Sequence, residues 1–423
     1  MSVTGGTAAT WAIAALATGG VIIRPWRVPE AVWAMLGAAA LVLFGLLPWS
    51  DAANGVRRGL DVYLFLAGMM LLADLARQEG LFGWLAAYAV GHARGSPQRL
   101  FALVYIVGTA VTVLLSNDAT AVVLTPAVYA ATRAAGATPL PYLFVCAFIA
   151  NAASFVLPIS NPANLVIFDG RMPHLLAWLA QFALPSAVSI VVTYVMLRLA
   201  QNSALKREQI AREVEQPVLS RGGRLTAVGI GATAVVLLLC SAFDAQLGLP
   251  TFICGAATAA IVLALSREAP WSLLREISWG VLPLVAGLFI LVEGLNRTGV
   301  TAALSHALRV ALETSAAGAM CGVGVAVALA CSLMNNLPVG LIAGSVVAAD
   351  RVPAEVTGAV LIGVDLGPNL SVTGSLATIL WLVALRREGL HVSAWQFLRL
   401  GLIVMPPALI LALASLHLTS MFR

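Results

Sequence analysis

Residues 100–132, LFALVYIVGTAVTVLLSNDATAVVLTPAVYAAT, form a long apolar stretch broken near its middle by Ser116-Asn117-Asp118. Residues 315–349, SAAGAMCGVGVAVALACSLMNNLPVGLIAGSVVAA, repeat the pattern, with Asn335-Asn336 and Pro338 at the break. A bilayer core about 30 Å thick is crossed by roughly 20 apolar residues of helix. Stretches this much longer, each with a polar centre, read as re-entrant helical hairpins rather than single spans. Lipid cannot satisfy the backbone groups freed at such a break, so each tip needs protein or a water-filled cavity around it.

Outward from these stretches the chain is apolar almost throughout. Of 423 residues, 60% are hydrophobic and 10% charged, with a mean hydropathy of +0.95; soluble domains carry about 25% charged residues. Candidate spans fall near 8–23, 31–48, 60–76, 139–168, 174–197, 225–243, 248–266, 278–296, 354–385 and 393–418. The fold class is therefore an all-α polytopic membrane protein, which excludes a soluble enzyme, a nucleic-acid partner and a secreted disulfide scaffold. Two of the spans are interrupted, one by Pro158 through Asn164, the other by Gly367-Pro368-Asn369 and Thr373-Gly374-Ser375.

The breaks come in pairs. Asn117 maps onto Asn336 at a spacing of 219 (336 − 117), and Asp74 onto Glu293 at the same spacing (293 − 74). Asn161 maps onto Gly374 at 213 (374 − 161). This predicts two repeats of five spans plus one hairpin, over 1–199 and 225–423, joined by a linker at 200–224. An odd number of crossings makes the second repeat inverted, the arrangement of secondary transporters with a midplane site.

Charge distribution gives an orientation. Among the 24 basic residues only Lys206 is a lysine, and the stretch 198–224 is the richest in basic side chains. Placing it in the cytoplasm leaves Arg57, Arg58, Arg171, Arg297, Arg309, Arg351 and Arg423 outside and all other bases inside. Both termini are then external, and the linker reads as a solvated connector.

Ionisable groups at membrane depth are expensive and mark function. Asp74, Asp118, Glu293 and Asp365 qualify. Asp118 at the first hairpin tip and Asp365 before the second broken segment are the candidates for proton coupling, because a carboxylate withdrawn from water binds and releases protons with its surroundings. For Asp365 a helix-end cap is the competing role, and Asp74 and Glu293 read as interfacial acids. Asn117, Ser160, Asn161, Asn164, Met334, Asn335, Asn336, Thr373, Gly374 and Ser375 are the candidate substrate-binding residues. No basic residue falls in a break, which points to a neutral polar solute rather than a polycarboxylate. Gly318-xxx-Gly322 and Gly340-xxx-Gly344 suggest close packing of the two arms of the second hairpin. The five cysteines show no metal-ligand or disulfide spacing, and no catalytic or ATP-hydrolysing motif is present. No cofactor or metal is expected.

Ser116-Asn117-Asp118 with Leu124-Thr125-Pro126, Phe148-Ile149-Ala150, Ser332-Leu333-Met334-Asn335-Asn336, and Asp365-Leu366-Gly367-Pro368 with Gly374-Ser375-Leu376-Ala377-Thr378 resemble the bacterial arsenical pump membrane protein family of the ion transporter superfamily. The resemblance covers residue 60 to the C-terminus. It implies export of arsenite or antimonite across the bacterial inner membrane in exchange for protons, and some members also work with a soluble arsenite-stimulated ATPase. The family pattern has an acid where this chain has Asn151 and a lysine where it has Asn369. The alternatives are a related carrier of silicic acid or a carboxylate, and a passive channel.

Overall fold

A computed structural model describes residues 3–168, 172–211, 217–267, 269–349 and 352–422; Arg171, Arg212, Arg351 and Arg423 of the charge argument lie outside them. The described residues are helical, with no strand among them. The first part contains α1 (Val3–Ile23), α2 (Glu30–Leu43), α3 (Trp49–Arg58), α4 (Leu60–Gln78), α5 (Leu81–Ala93) and α6 (Pro97–Leu114). After a break at Leu115-Ser116 come α7 (Asn117–Ala119), a π-helical turn (Thr120–Leu124) and α8 (Thr125–Ala134). Then follow α9 (Leu140–Ala152), a 3-10 turn (Pro158–Ser160), α10 (Pro162–Phe168) and α11 (Leu175–Arg207).

The second part contains α12 (Arg221–Ala242), α13 (Gly248–Ser266), α14 (Pro270–Glu276), α15 (Val281–Arg297), α16 (Val300–Thr314), α17 (Ala316–Met334) and α18 (Asn336–Ala349). It ends with α19 (Ala354–Leu366), a 3-10 turn (Gly367–Leu370), α20 (Leu376–Arg387) and α21 (Ala394–Met421). Seven helices are individually long and apolar enough to cross a bilayer, and nine if the bent pairs α3–α4 and α14–α15 each count as one span. Large apolar side chains such as Leu16, Leu43 and Leu333 are exposed, as they are where lipid is the solvent.

Helices from the two ends of the chain interleave. Helix α4 packs along α13, α15 along α2, and α11 along α21. At the first of these seams a Cβ on Gly68 would stand 2.4 Å from the Thr251 carbonyl oxygen, and one on Gly255 would stand 2.6 Å from the Gly68 carbonyl oxygen. Only glycine lets these backbones approach so closely.

Both ends of the 97–134 segment dock on the chain that joins the two parts. Gln98 Nε2 donates to the Leu205 carbonyl at 3.3 Å, and Ala211 N donates to the Ala135 carbonyl at 2.9 Å. Both ends of the segment thus lie beside one short stretch of chain, Leu205 to Ala211. The segment's first arm, α6, is 18 residues long and α17 is 19, enough for a full crossing.

Several sequence expectations change. Helices α3, α5, α14 and α16 were not anticipated, because each is shorter than a bilayer crossing and carries no interruption to mark it. The linker is not simply solvated: α11 continues to Arg207, α12 begins at Arg221, and Leu205 and Ile210 are buried. Glu208 accepts from the Tyr142 hydroxyl at 2.8 Å and from the Thr138 amide. Gly318 and Gly322 do not pack the hairpin arms together, since an added Cβ would meet only Ser315 at Gly318 and nothing within 4 Å at Gly322. Gly344 is a close-contact site, but its neighbour is the Val166–Ile167 backbone of α10 rather than α17.

Candidate functional site

The first hairpin turns at Ser116, whose extended backbone ends α6 and whose hydroxyl accepts from the Ala119 amide at 3.2 Å. Asn117 follows, buried, with its Oδ1 accepting from the Asp118 amide at 2.9 Å. Pro126 has no N–H to give the preceding turn, and the helix widens to π register over Thr120–Leu124, separated from Asp118 by Ala119 alone. That widening was signalled by Leu124-Thr125-Pro126, although the sequence reading took these residues only as a family marker. The second hairpin turns at Asn335, which holds φ at +77° between α17 and α18. A positive φ is costly for a residue with a Cβ. It is held by hydrogen bonds, because Asn335 Nδ2 donates to the Thr373 carbonyl at 3.4 Å and Asn336 N donates to the Gly374 carbonyl at 2.8 Å.

The broken helices meet the hairpin tips through two cross-chain links. Asn161, immediately before α10, donates from Nδ2 to Asp365 Oδ1 at 2.6 Å, while its own Oδ1 accepts from the Ala163 amide at 3.0 Å. Asp365 is fully buried inside the last turn of α19, so it does not cap a helix end. Ser375, immediately before α20, accepts from the Thr378 amide at 3.1 Å and reaches Asn151 Oδ1 at 3.5 Å. Asn161 and Ser375 thus occupy matching places before their half-helices, one residue removed from the Asn161–Gly374 alignment expected from sequence.

Asn117, Asp118, Asn161, Asn336 and Ser375 converge on one small cavity of about 20 Å³, closed by Leu66, Val285 and Leu337. That volume holds roughly one water. It shares Leu66, Asp118, Pro162, Val281 and Leu376 with an adjoining vestibule of about 660 Å³, whose lining also carries Asp74, Arg77, Glu276, Arg387 and Glu388. Arg77 pairs with Asp74 at 3.2 Å and with Glu276. The pocket bounded by Arg58, Glu293, Asn296 and Ser345 measures only about 40 Å³, and its Arg58–Glu293 ion pair spans 2.9 Å.

The remaining predicted residues do not line the small cavity. Ser160 donates to the Val113 carbonyl at 3.2 Å, and Asn164 donates to the carbonyls of Ser154, Leu157 and Pro158. Both hold the broken segment in shape. Asn335, Thr373 and Gly374 support the second tip, as described above. Met334 is 37% exposed and is not among the residues lining the small cavity. Asn151 and Asn369, which depart from the family pattern in opposite charge senses, are hydrogen-bonded to each other at 2.9 Å. Of the vestibule rim, sequence reading marked only Asp74, as an interfacial acid, because the charged residues come from α4, α14 and the C-terminal end of α20 and carry no shared motif.

The chain matches the profile of the citrate transporter family (CitMHS) over residues 14–363. It is 29% identical over 404 residues to the arsenical pump membrane protein of Escherichia coli K12, covering 92% of this chain and 93% of that protein. The arsenical pump membrane protein of Yersinia enterocolitica is 28% identical over 369 residues, covering 83% and 84%. An uncharacterized transporter of Mycobacterium tuberculosis H37Rv is 28% identical over 423 residues, covering 94% and 95%. Among solved structures the YdaH transporter of Alcanivorax borkumensis, described as having an unusual topology, shares the fold. Its TM-score is 0.58 at 15% sequence identity, over 88% of each chain. With helices able to cross a bilayer, paired breaks around a polar cavity and a profile match across most of its length, the chain is a multi-pass membrane transporter belonging to the citrate transporter family.

Proposed function

We propose that the chain exports arsenite and antimonite from the cytoplasm in exchange for protons, as a secondary active transporter of the bacterial inner membrane. The observation that carries this reading is the composition of the small cavity. It offers three carboxamides, one hydroxyl and one carboxyl, and no cationic side chain. A tricarboxylate would meet Asp118 with like charge and no base to offset it, and such a burial is prohibitively expensive. Arsenous acid is mostly uncharged at neutral pH and presents three hydroxyls, which amide and hydroxyl groups hold reversibly once the cavity, closed here to the size of one water, widens to admit it. The arsenical pump relatives favour the same solute.

Asp118 and Asp365 are the proton carriers in this reading. The first stands at the mouth between vestibule and cavity, and the second is reached from the cavity through Asn161. The two parts of the chain act as inverted repeats. Under a spacing of 219, the pair α4 with α13 exchanges with α15 with α2, and α1 with α2 exchanges with α12 with α13, which is how the helices pack. Asp74 and Arg77 at the wide vestibule correspond to Glu293 and Asn296 at the narrow pocket. The wide side also carries the basic linker, so this conformation is the cytoplasm-open one and the narrow pocket is the closed external entrance. Both termini are external. The cytoplasmic rim around the linker is where a soluble arsenite-stimulated ATPase would dock, were one used.

Counterflow in proteoliposomes tests the reading. Arsenite or antimonite loaded inside accelerates entry of external arsenite, and a proton gradient drives its accumulation. Counterflow of citrate or succinate with none of arsenite would overturn the proposal, and so would arsenite flux that no gradient concentrates.

A further inference from the structure

The two cross-chain links at the broken helices are related by the same internal repeat, yet only one contains an acid. Shifting residue numbers by 214 carries Asn161 onto Ser375 (375 − 161) and Asn151 onto Asp365 (365 − 151). The same shift carries the start of α9 onto that of α19 (354 − 140). The bond from Asn161 to Asp365 at 2.6 Å therefore has its counterpart in the bond from Ser375 to Asn151 at 3.5 Å. In each, the side chain that precedes a half-helix and lines the cavity is tied to a buried side chain of the opposite repeat.

The acid-bearing link has a second peculiarity. Asp365 Oδ2 is buried without a hydrogen-bond partner. The Ser154 hydroxyl is close enough to act on the Asp365 carboxyl, but its partner within hydrogen-bond geometry is the Asn151 carbonyl at 2.8 Å. The titratable group facing Asp365 from the helices packed against it, among the described residues, is the Cys331 thiol of α17. Of the two carboxylate oxygens, one is occupied by Asn161 and the other is vacant, the arrangement that accommodates one proton.

We propose that Asn161 is a positioning residue that transmits the protonation state of Asp365 to the substrate cavity, and that the repeat-related Ser375–Asn151 link is silent because it holds no acid. The inference rests on the proton-coupled reading above. When Asp365 is ionised, its bond from Asn161 is charge-assisted and holds the amide against the entry to α10. When Asp365 takes a proton at Oδ2, the charge assistance at Oδ1 is lost, and such bonds fall to about half their strength. Asn161 is then released to turn its amide toward the cavity, and the start of α10 loosens. Nothing comparable happens at α20.

Hydrogen–deuterium exchange on the purified full-length protein tests this without a substrate. After correction for intrinsic exchange, acidification lowers protection across residues 162–168 by about tenfold in the wild type, the size expected when a charge-assisted bond becomes an ordinary one. That response is flat in Asp365→Asn and in Asn161→Ala, while residues 376–387 stay flat in the wild type and become pH-dependent in Asn151→Asp. The last variant adds a response, so the proposal remains falsifiable even if the loss variants fold poorly. A flat 162–168 segment in the wild type overturns the link, as does a pH response that persists in Asp365→Asn, or an Asn151→Asp protein whose 376–387 segment is unmoved. Arsenite counterflow on the same preparation separates the two readings. A silent wild type strikes the assignment of substrate alone, whereas active counterflow with flat exchange strikes the link alone.

Discussion

Asn151 Nδ2 donates to Asn369 Oδ1 at 2.9 Å, and Asn369 Nδ2 donates in turn to the Phe148 carbonyl at 3.2 Å. Both residues are essentially fully buried, so this amide pair locks α9 to the turn that follows α19. Removing one member leaves the other unsatisfied, at a cost of about 1–3 kcal/mol. Asn369→Leu should lower the thermal unfolding midpoint in detergent. A single charge placed here, as in Asn369→Lys, should be worse, because an uncompensated buried ion costs roughly 3–5 kcal/mol. Asn151→Glu combined with Asn369→Lys should recover much of that loss. A double variant no better than Asn369→Lys alone would show that the two positions do not pair.

Among the described residues, Asp118 is the only acid that lines both the cavity and the vestibule. Asp118→Asn keeps shape and hydrogen-bonding capacity while removing the ionisable group. Proton-driven arsenite uptake into everted vesicles should fall at least about tenfold, the factor that separates losing a charged partner of about 1.4 kcal/mol from losing nothing. Full-rate uptake by this variant would remove Asp118 from the coupling scheme.

The wide vestibule and the narrow pocket differ more than tenfold in volume, at about 660 and 40 Å³. Ala73 lines the former and Val292, which follows it at the repeat spacing, lines the latter. In a background lacking the exposed Cys321, Ala73→Cys should react with a polar thiol reagent much faster than Val292→Cys. Conditions that favour the outward state should slow the first and speed the second. Parallel changes at both positions would rule out alternating access between these two openings.

Gly68 and Gly322 make a matched control. The Cβ of Gly68→Ala would strike the Thr251 carbonyl at 2.4 Å, a backbone atom that cannot swing aside, whereas nothing stands within 4 Å at Gly322. Overpacking of this kind costs about 1–3 kcal/mol. Gly68→Ala should therefore lose thermal stability and Gly322→Ala should not. Equal behaviour of the two would contradict the packing of α4 on α13.

The sequence announces the parts of this fold that lipid forbids elsewhere. Polar residues and prolines at Ser116–Asp118, Pro158–Asn164, Asn335–Pro338 and Gly367–Ser375 stand out against an apolar background, and all four breaks are present in the structure. Their convergence was legible because such groups need company. Which groups accompany which was not. Asn161 finds Asp365 across 204 residues, and Asn151 finds Asn369 across 218, at separations that carry no local signal. Short helices such as α5 and α16 escaped notice for the opposite reason, since apolar runs below bilayer length have no boundary that hydropathy can mark. The cavity shows the same division: Asn117, Asp118, Asn161, Asn336 and Ser375 were all marked by their breaks, but Leu66 and Val285, which close it, lie in ordinary apolar helix.

The interleaving of α4 with α13, α2 with α15 and α11 with α21 has a consequence for synthesis. Helix α4 is complete at Gln78, but its partner α13 is complete only at Ser266. At translation rates of about 5–20 residues per second the intervening 188 residues (266 − 78) take roughly 10–40 s to make. During that interval the glycine groove of α4 faces lipid or an insertion factor. Neither part of the chain can mature on its own while it waits, so quality control during biogenesis must tolerate a half-made transporter whose assembly is decided by its last-made helices.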